Sequence, residues 1–251
     1  GISTVNKAIR KTNINDKSVV LDIGSGIGGP ARYIAIKSKA KIYAVEIQTE
    51  LNNIGKELTD DYKLTKYIEH LQADILKYDF NNYLQNETIV FGNLPYNIST
   101  ELISKWIINI DKKFWFTELI LMFQKEVADR IISKTNQSKY GRLSILSNWK
   151  LNIKKIIDIK PESFYPKPKI DSTLLLFTPK KEFFNLKDSK NLEMITRVFF
   201  SKRRKMLKKS FNQVFKDTKK VSEKFDIDLN LRPQNLSPET YYRLAKELED
   251  L

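Results

Sequence analysis

Short apolar runs alternate with longer mixed segments along the first two thirds of the chain, and the two periods predict strands and helices in turn. Val19-Val20-Leu21-Asp22-Ile23 is apolar at nearly every position, as a strand buried on both faces must be. A glycine turn follows it, and Pro30 opens a helix that runs to about residue 38. Residues 41–47 predict a second strand, 50 to about 64 a polar helix, and a short third strand ends near Gln72. Beyond it come the strand Ile89-Val90-Phe91-Gly92, a helix over 100–110, an apolar strand over 118–123 and a further strand over 173–177. Strand and helix alternating at this spacing predict an α/β fold with a mostly parallel, doubly wound sheet, whose ligands lie at the carboxyl ends of the strands. After Pro179-Lys180-Lys181 the texture turns helical, with basic and apolar residues interleaved to the end. A boundary is therefore expected near residue 182, giving a main domain over 1–181 and a helical domain over 182–251.

Charge adds a partner to this picture. The 251 residues hold 44 Lys and Arg against 30 Asp and Glu, a formal net charge of +14, which points to a polyanion and first to nucleic acid. Between Ser201 and Ser210 six positive residues stand with no negative one. Lys202, Arg203, Arg204, Lys205, Lys208 and Lys209 are thus the candidate phosphate ligands, with a solvated helix face as the alternative. There is no cysteine and a single histidine, His70, so disulfides and thiolate metal sites are excluded and a metal-free protein is expected. His70 is read as a surface or helix-end residue without a role. No apolar run approaches the roughly 20 residues of a membrane span, and the start lacks the apolar centre of a signal peptide. A soluble, cytoplasmic protein without a membrane partner is expected, and Gly1 in place of Met suggests a trimmed or engineered start.

The first candidate chemistry is the turn Asp22-Ile23-Gly24-Ser25-Gly26-Ile27-Gly28-Gly29, which leaves a strand and opens a helix. Closely spaced glycines there let backbone approach a nucleoside or a carboxylate. Gly24, Gly26 and Gly29 also match the dinucleotide spacing, so the glycines alone do not choose a cofactor. Asp22 does: it suits a cationic amine and would repel a pyrophosphate. The arrangement resembles the S-adenosylmethionine turn of class I methyltransferases. Glu46, closing the second strand, is placed to accept two ribose hydroxyls, and Asp74, ending the third, to accept an adenine amine, with Ile47 and Ile75 on the two ring faces. Each acid singly could instead be a helix N-cap or a surface charge.

The second is Asn93-Leu94-Pro95-Tyr96, directly after the strand that ends at Gly92. A carboxamide at a strand end offers an oxygen acceptor, and Pro95 biases Leu94 toward extended backbone, which turns the Leu94 carbonyl toward the same pocket. Tyr96 adds a flat face for stacking. The loop Phe164-Tyr165-Pro166-Lys167-Pro168, stiffened by its prolines, can hold Phe164 rigidly.

Taken with Gln124-Lys125-Glu126-Val127, Tyr140-Gly141-Arg142-Leu143-Ser144 and Arg203-Arg204-Lys205, these loops closely resemble the rRNA adenine dimethyltransferase family. The macrolide-resistance methyltransferases of large-subunit rRNA share the Asn93 and Phe164 motifs, whereas the Gln124, Tyr140 and Arg203 segments resemble the small-subunit, ribosome-biogenesis branch. The resemblance implies a Rossmann-like class I methyltransferase domain and S-adenosylmethionine as cofactor. It implies small-subunit rRNA and the small ribosomal subunit as partners, and dimethylation of two adjacent adenosines. For the site it implies that Asn93, which also borders the cofactor, and Leu94 accept the target amine's hydrogens, while Tyr96 and Phe164 stack on the base. The first third departs from the family pattern. No Gly-Gln-Asn-Phe-Leu segment precedes the first strand, and Gly28-Gly29-Pro30-Ala31-Arg32-Tyr33 looks like small-molecule amine methyltransferases, so a trimmed, divergent or chimeric N-terminal third is expected. Two alternatives stand beside the enzyme: an RNA-binding assembly factor with weak or no activity, and a small-molecule amine methyltransferase. The basic tail disfavours the latter and the intact Asn93, Leu94, Tyr96 and Phe164 set the former. A monomer is expected.

Overall fold

The computed structural model describes residues 2–78, 87–108, 114–163 and 169–250. Its elements run α1 (Ile2–Arg10), β1 (Val19–Ile23), α2 (Gly29–Ser38), β2 (Lys41–Glu46), α3 (Thr49–Asp61), β3 (Ile68–Gln72), β4 (Thr88–Gly92), α4 (Tyr96–Ile108), β5 (Phe116–Gln124), α5 (Lys125–Ile132), α6 (Arg142–Lys150), β6 (Leu151–Ile159), β7 (Ser172–Pro179), α7 (Ser189–Ser201), α8 (Leu207–Val214), α9 (Thr218–Lys224) and α10 (Pro238–Glu249).

The strands form one seven-stranded sheet in the order β3-β2-β1-β4-β5-β7-β6. β3, β2, β1, β4 and β5 are mutually parallel, and β7 runs antiparallel to β5. This is the mostly parallel α/β sheet read from the apolar runs. β1 and β4 are buried at every residue because the sheet is covered on both faces. The chain lays β1, β2 and β3 outward in one direction, then returns to place β4 on the other side of β1. That reversal opens the crevice where ligands of such sheets bind.

Several boundaries move for local reasons. α4 begins at Tyr96 rather than at residue 100, because the Pro95 carbonyl accepts from Ile98 and Ser99 N–H at 3.0 and 3.1 Å and so nucleates the helix at once. α3 stops at Asp61, and Lys63 at φ 56° turns the chain toward β3. His70 lies neither at a helix end nor on the open surface: it is the third residue of β3, half-buried.

The chain divides into two compact units. The first comprises Gly1–Leu102, Ile110–Ala128 and Ile153–Pro179 and contains most of the sheet. Its core joins Val5 and Ala8 of α1 to Ala31, Ile34 and Ala35 of α2, Ile42 and Ala44 of β2, and Leu174 and Leu176 of β7. The second comprises Ile103–Asn109, Asp129–Asn152 and Lys180–Leu251. Tyr140, Ile145 and Trp149 pack there among Ile195, Phe199, Phe211 and Tyr241. The last crossing between the units, at Pro179, lies close to the change of texture, while the earlier crossings carry no mark in composition.

Candidate active site

Strand register sets the site. Ile23 of β1 is opposite Val45 of β2 and Gly92 of β4. Gly24, Glu46 and Asn93 are therefore the next residues on three neighbouring strands, about 4.8 Å apart from strand to strand. On the fourth strand Glu46 pairs with Gln72, which puts Ala73 and Asp74 just past the end of β3. Four strand ends thus bring together the acids and the carboxamide singled out in the sequence.

The glycine turn takes the backbone that only glycine enters at little cost: Gly24, Gly26 and Gly28 have φ of 65°, 55° and 75°. A Cβ at Gly24 would stand 2.6 Å from Leu94 Cδ2 and 3.4 Å from the Asn93 carbonyl oxygen, so the turn and the Asn93 loop pack directly on one another. At Gly26 nothing lies within 4 Å of such an atom, which leaves open space beside exposed backbone. Gly26 N–H donates to Glu46 Oε2 at 2.8 Å and Gln48 N–H to Oε1 at 2.9 Å, fixing the Glu46 carboxylate across the turn.

Asp22 is 1% exposed. Burial, set against a hydrogen bond from the Ala31 N–H and reinforced by the nearby Glu46 charge, pushes its carboxyl up to about 8 from 3.8. One oxygen, Oδ2, has no partner, and neither does the buried Ser25 hydroxyl. Both Asn52 side-chain atoms are also unpartnered, on α3 one turn before Gly55, whose added Cβ would meet the Ile27 backbone at 3.4 Å. Buried polar groups are normally satisfied, so orphans gathered at one turn mark a place made for a polar ligand. A cationic amine beside Asp22 and a carboxylate near the turn's N–H groups fit this donor and acceptor set.

The remaining residues divide. Ile47 is 60% exposed although apolar, and Ile75 is buried. Asp74 Oδ1 accepts from Leu76 N–H at 2.9 Å, so this acid already caps a local turn, and Lys77 lies 3.8 Å from its other oxygen. Asn93 is exposed, Leu94 is buried through its contact with Gly24, and Pro95 is exposed. Phe164 lies outside the described residues, as does the side chain of Tyr96.

In the basic cluster Arg204, Lys205, Lys208 and Lys209 are exposed, whereas Lys202 and Arg203 are partly covered. Arg203 is engaged internally: its guanidinium donates to the Tyr140 carbonyl at 2.7 Å and to the Ser138 carbonyl. Lys202 reaches the Gln213 carboxamide. The Tyr140-to-Ser144 motif is likewise a packing node. Tyr140 donates its hydroxyl to the Leu236 carbonyl at 2.7 Å, and Gly141 N–H bonds Ser144 Oγ at 3.1 Å.

The sequence pattern of the ribosomal RNA adenine dimethylase family matches residues 2–250. The chain belongs to the ribosomal RNA adenine dimethylase family. It is similar to "Ribosomal RNA small subunit methyltransferase A" of Pelagibacter ubique, with 60% identity over 98% of this chain and 91% of that protein. Among solved structures it resembles a dimethyladenosine transferase from Plasmodium falciparum, with 26% identity, a TM-score of 0.84 and coverage of 99% and 96% of the two chains. It shares the fold of the 23S rRNA methyltransferase ErmE, with 18% identity, a TM-score of 0.70 and coverage of 98% and 97%. These matches take in the N-terminal third, so its unusual glycine turn is variation within the ribosomal RNA adenine dimethylase family and does not mark a join between two proteins. The family's enzymes are S-adenosylmethionine-dependent methyltransferases, and the class I fold and cofactor read from the sequence both hold.

Among the described residues no helix is long and apolar enough to cross a membrane, and no group of three or more His, Cys, Asp or Glu is placed to hold a metal ion.

Proposed function

We propose that this chain dimethylates the exocyclic amines of two adjacent adenosines in small-subunit rRNA during ribosome biogenesis, consuming one S-adenosylmethionine per methyl group. The observation that carries the reading is the direct packing of the Asn93-Leu94 loop on the cofactor turn, with Leu94 seated on Gly24. S-adenosylmethionine supplies an electrophilic methyl group on a sulfonium.

The protein's part follows from its residues. In this reading Asp22 and Ser25 receive the cofactor's amino-acid end, Glu46 its ribose, and Asp74, Ile47 and Ile75 its adenine. An adenine amine is a poor nucleophile because its lone pair is delocalised into the ring. Accepting its two hydrogens on the Asn93 side-chain oxygen and the Leu94 carbonyl localises that pair and aims it. Positioning then supplies most of the rate, and no strong general base is required, since the methylated ammonium is acidic. Tyr96 and Phe164 are assigned to stacking on the extruded base, worth roughly 1–3 kcal/mol per contact. Arg204, Lys205, Lys208 and Lys209 are the exposed cations assigned to rRNA phosphates.

The test is transfer of tritiated methyl groups to undermethylated small ribosomal subunits, with naked rRNA and small amines as controls. Asn93→Ala is expected to abolish transfer while leaving cofactor affinity nearly unchanged. A variant with wild-type turnover would remove Asn93 from the mechanism.

A further inference from the structure

The chain's one histidine sits beneath the cofactor turn. From the middle of β3 its ring reaches between α3 and the turn: an added Cβ at Gly55 would lie 2.8 Å from its Cε1, and one at Gly28 would lie 3.2 Å from the same atom. Both neighbours are glycine because the imidazole fills the space a side chain would take. Gly28 is the left-handed residue that caps α2, with φ 75° and ψ 25°. Its N–H bonds the Ser25 carbonyl at 2.8 Å, and its carbonyl accepts from Arg32 N–H at 3.0 Å, so its conformation sets how the turn enters the helix.

Hydrogen bonding fixes the state of the ring. Nε2 lies 2.8 Å from the buried Thr59 hydroxyl, while Nδ1 is buried with no partner. A neutral ring that donates from Nε2 leaves only a lone pair unmet at Nδ1, whereas a protonated ring would leave a charged N–H unmet. The charged groups facing it are Arg32 from α2 and Lys56 from α3, opposed by Asp60 of α3. Burial first, and the two cations next, hold its pKa below the ordinary 6.5.

We propose that His70 is a positioning residue of the cofactor turn: its neutral imidazole, wedged between Gly55 and Gly28, holds the left-handed backbone from which the turn enters α2, so that protonating this single ring weakens cofactor binding. The inference rests on the glycine turn as the cofactor site. The ring is neutral above about pH 6.5, and its support is lost as pH falls from there through the lower value in the fold. Asp22 also titrates at the turn, and its contribution is common to any His70 variant.

The experiment measures S-adenosylhomocysteine affinity of the full chain by calorimetry from about pH 5.5 to about pH 7.5, for the wild type and for His70→Gln, which keeps an amide donor toward Thr59 but does not titrate. The wild type should lose about 2- to 5-fold more affinity than His70→Gln across that range. Linkage is reciprocal, so saturating ligand should lower the imidazole pKa, read from the lone histidine's NMR signal, by about half to one unit. Parallel pH profiles, or an imidazole titration that ligand leaves unmoved, would overturn the proposal, and the NMR arm needs only the wild type. Failure of the wild type to bind ligand at any pH would instead sink the cofactor reading beneath it.

Discussion

The Asp22 carboxyl is the place where stability and function pull apart most. Its folded value of about 8 against an ordinary 3.8 is a rise of about four units, or about 6 kcal/mol at 1.36 kcal/mol per unit, trimmed to about 3–6 kcal/mol by relaxation around the group. The sign follows from proton counting. Between 3.8 and about 8 the folded state holds one proton more than the unfolded chain, so this group's contribution is full below the lower value and lost as pH rises toward the upper one. Asp22→Asn removes that dependence without a change of shape. In urea unfolding of ligand-free protein, wild-type stability relative to the variant should fall by about 1.4 kcal/mol per pH unit between about pH 5 and about pH 8. The variant should be the more stable protein at neutral pH, yet gain less stability from S-adenosylhomocysteine, because the carboxylate for the ligand's amine is gone. Two stability curves that stay parallel across this range would refute the argument that Asp22 is buried uncompensated.

Gly24→Ala should weaken cofactor binding and methyl transfer together. The left-handed backbone costs alanine about 1–2 kcal/mol, and the new Cβ, 2.6 Å from Leu94 Cδ2, must push the Asn93 loop; titration calorimetry and turnover check it, and an unaffected variant would uncouple turn from loop. Arg203→Ala should lower stability by about 1–3 kcal/mol, since two carbonyls lose a charged donor, as thermal unfolding reads. Arg204→Ala should leave stability unchanged but reduce the salt slope of RNA binding by about one. An unaltered slope would make that side chain a solvated one.

Much of the site could be read directly along the chain. Buried strands show as unbroken apolar runs, closely spaced glycines mark the left-handed turn, and the Asn93 loop is contiguous, so β1, β4, the glycine turn and the Asn93 loop are local facts. The amphipathic strand β6 and the helices α1, α5 and α6 escaped because their patterns are short and mixed, and their burial depends on partners distant in sequence. Only tertiary structure aligned Gly24, Glu46 and Asn93, since register is a property of pairs of strands. The same holds for charge. Asp22 and Glu46 are alike in sequence, but one is sealed under α2 with an oxygen unmet while the other is held by two N–H groups. Arg203 and Arg204 are adjacent, yet one braces two carbonyls and the other faces water. Residue type set the available chemistry, and desolvation, which arises only when distant segments close over a group, decided how each residue could use it.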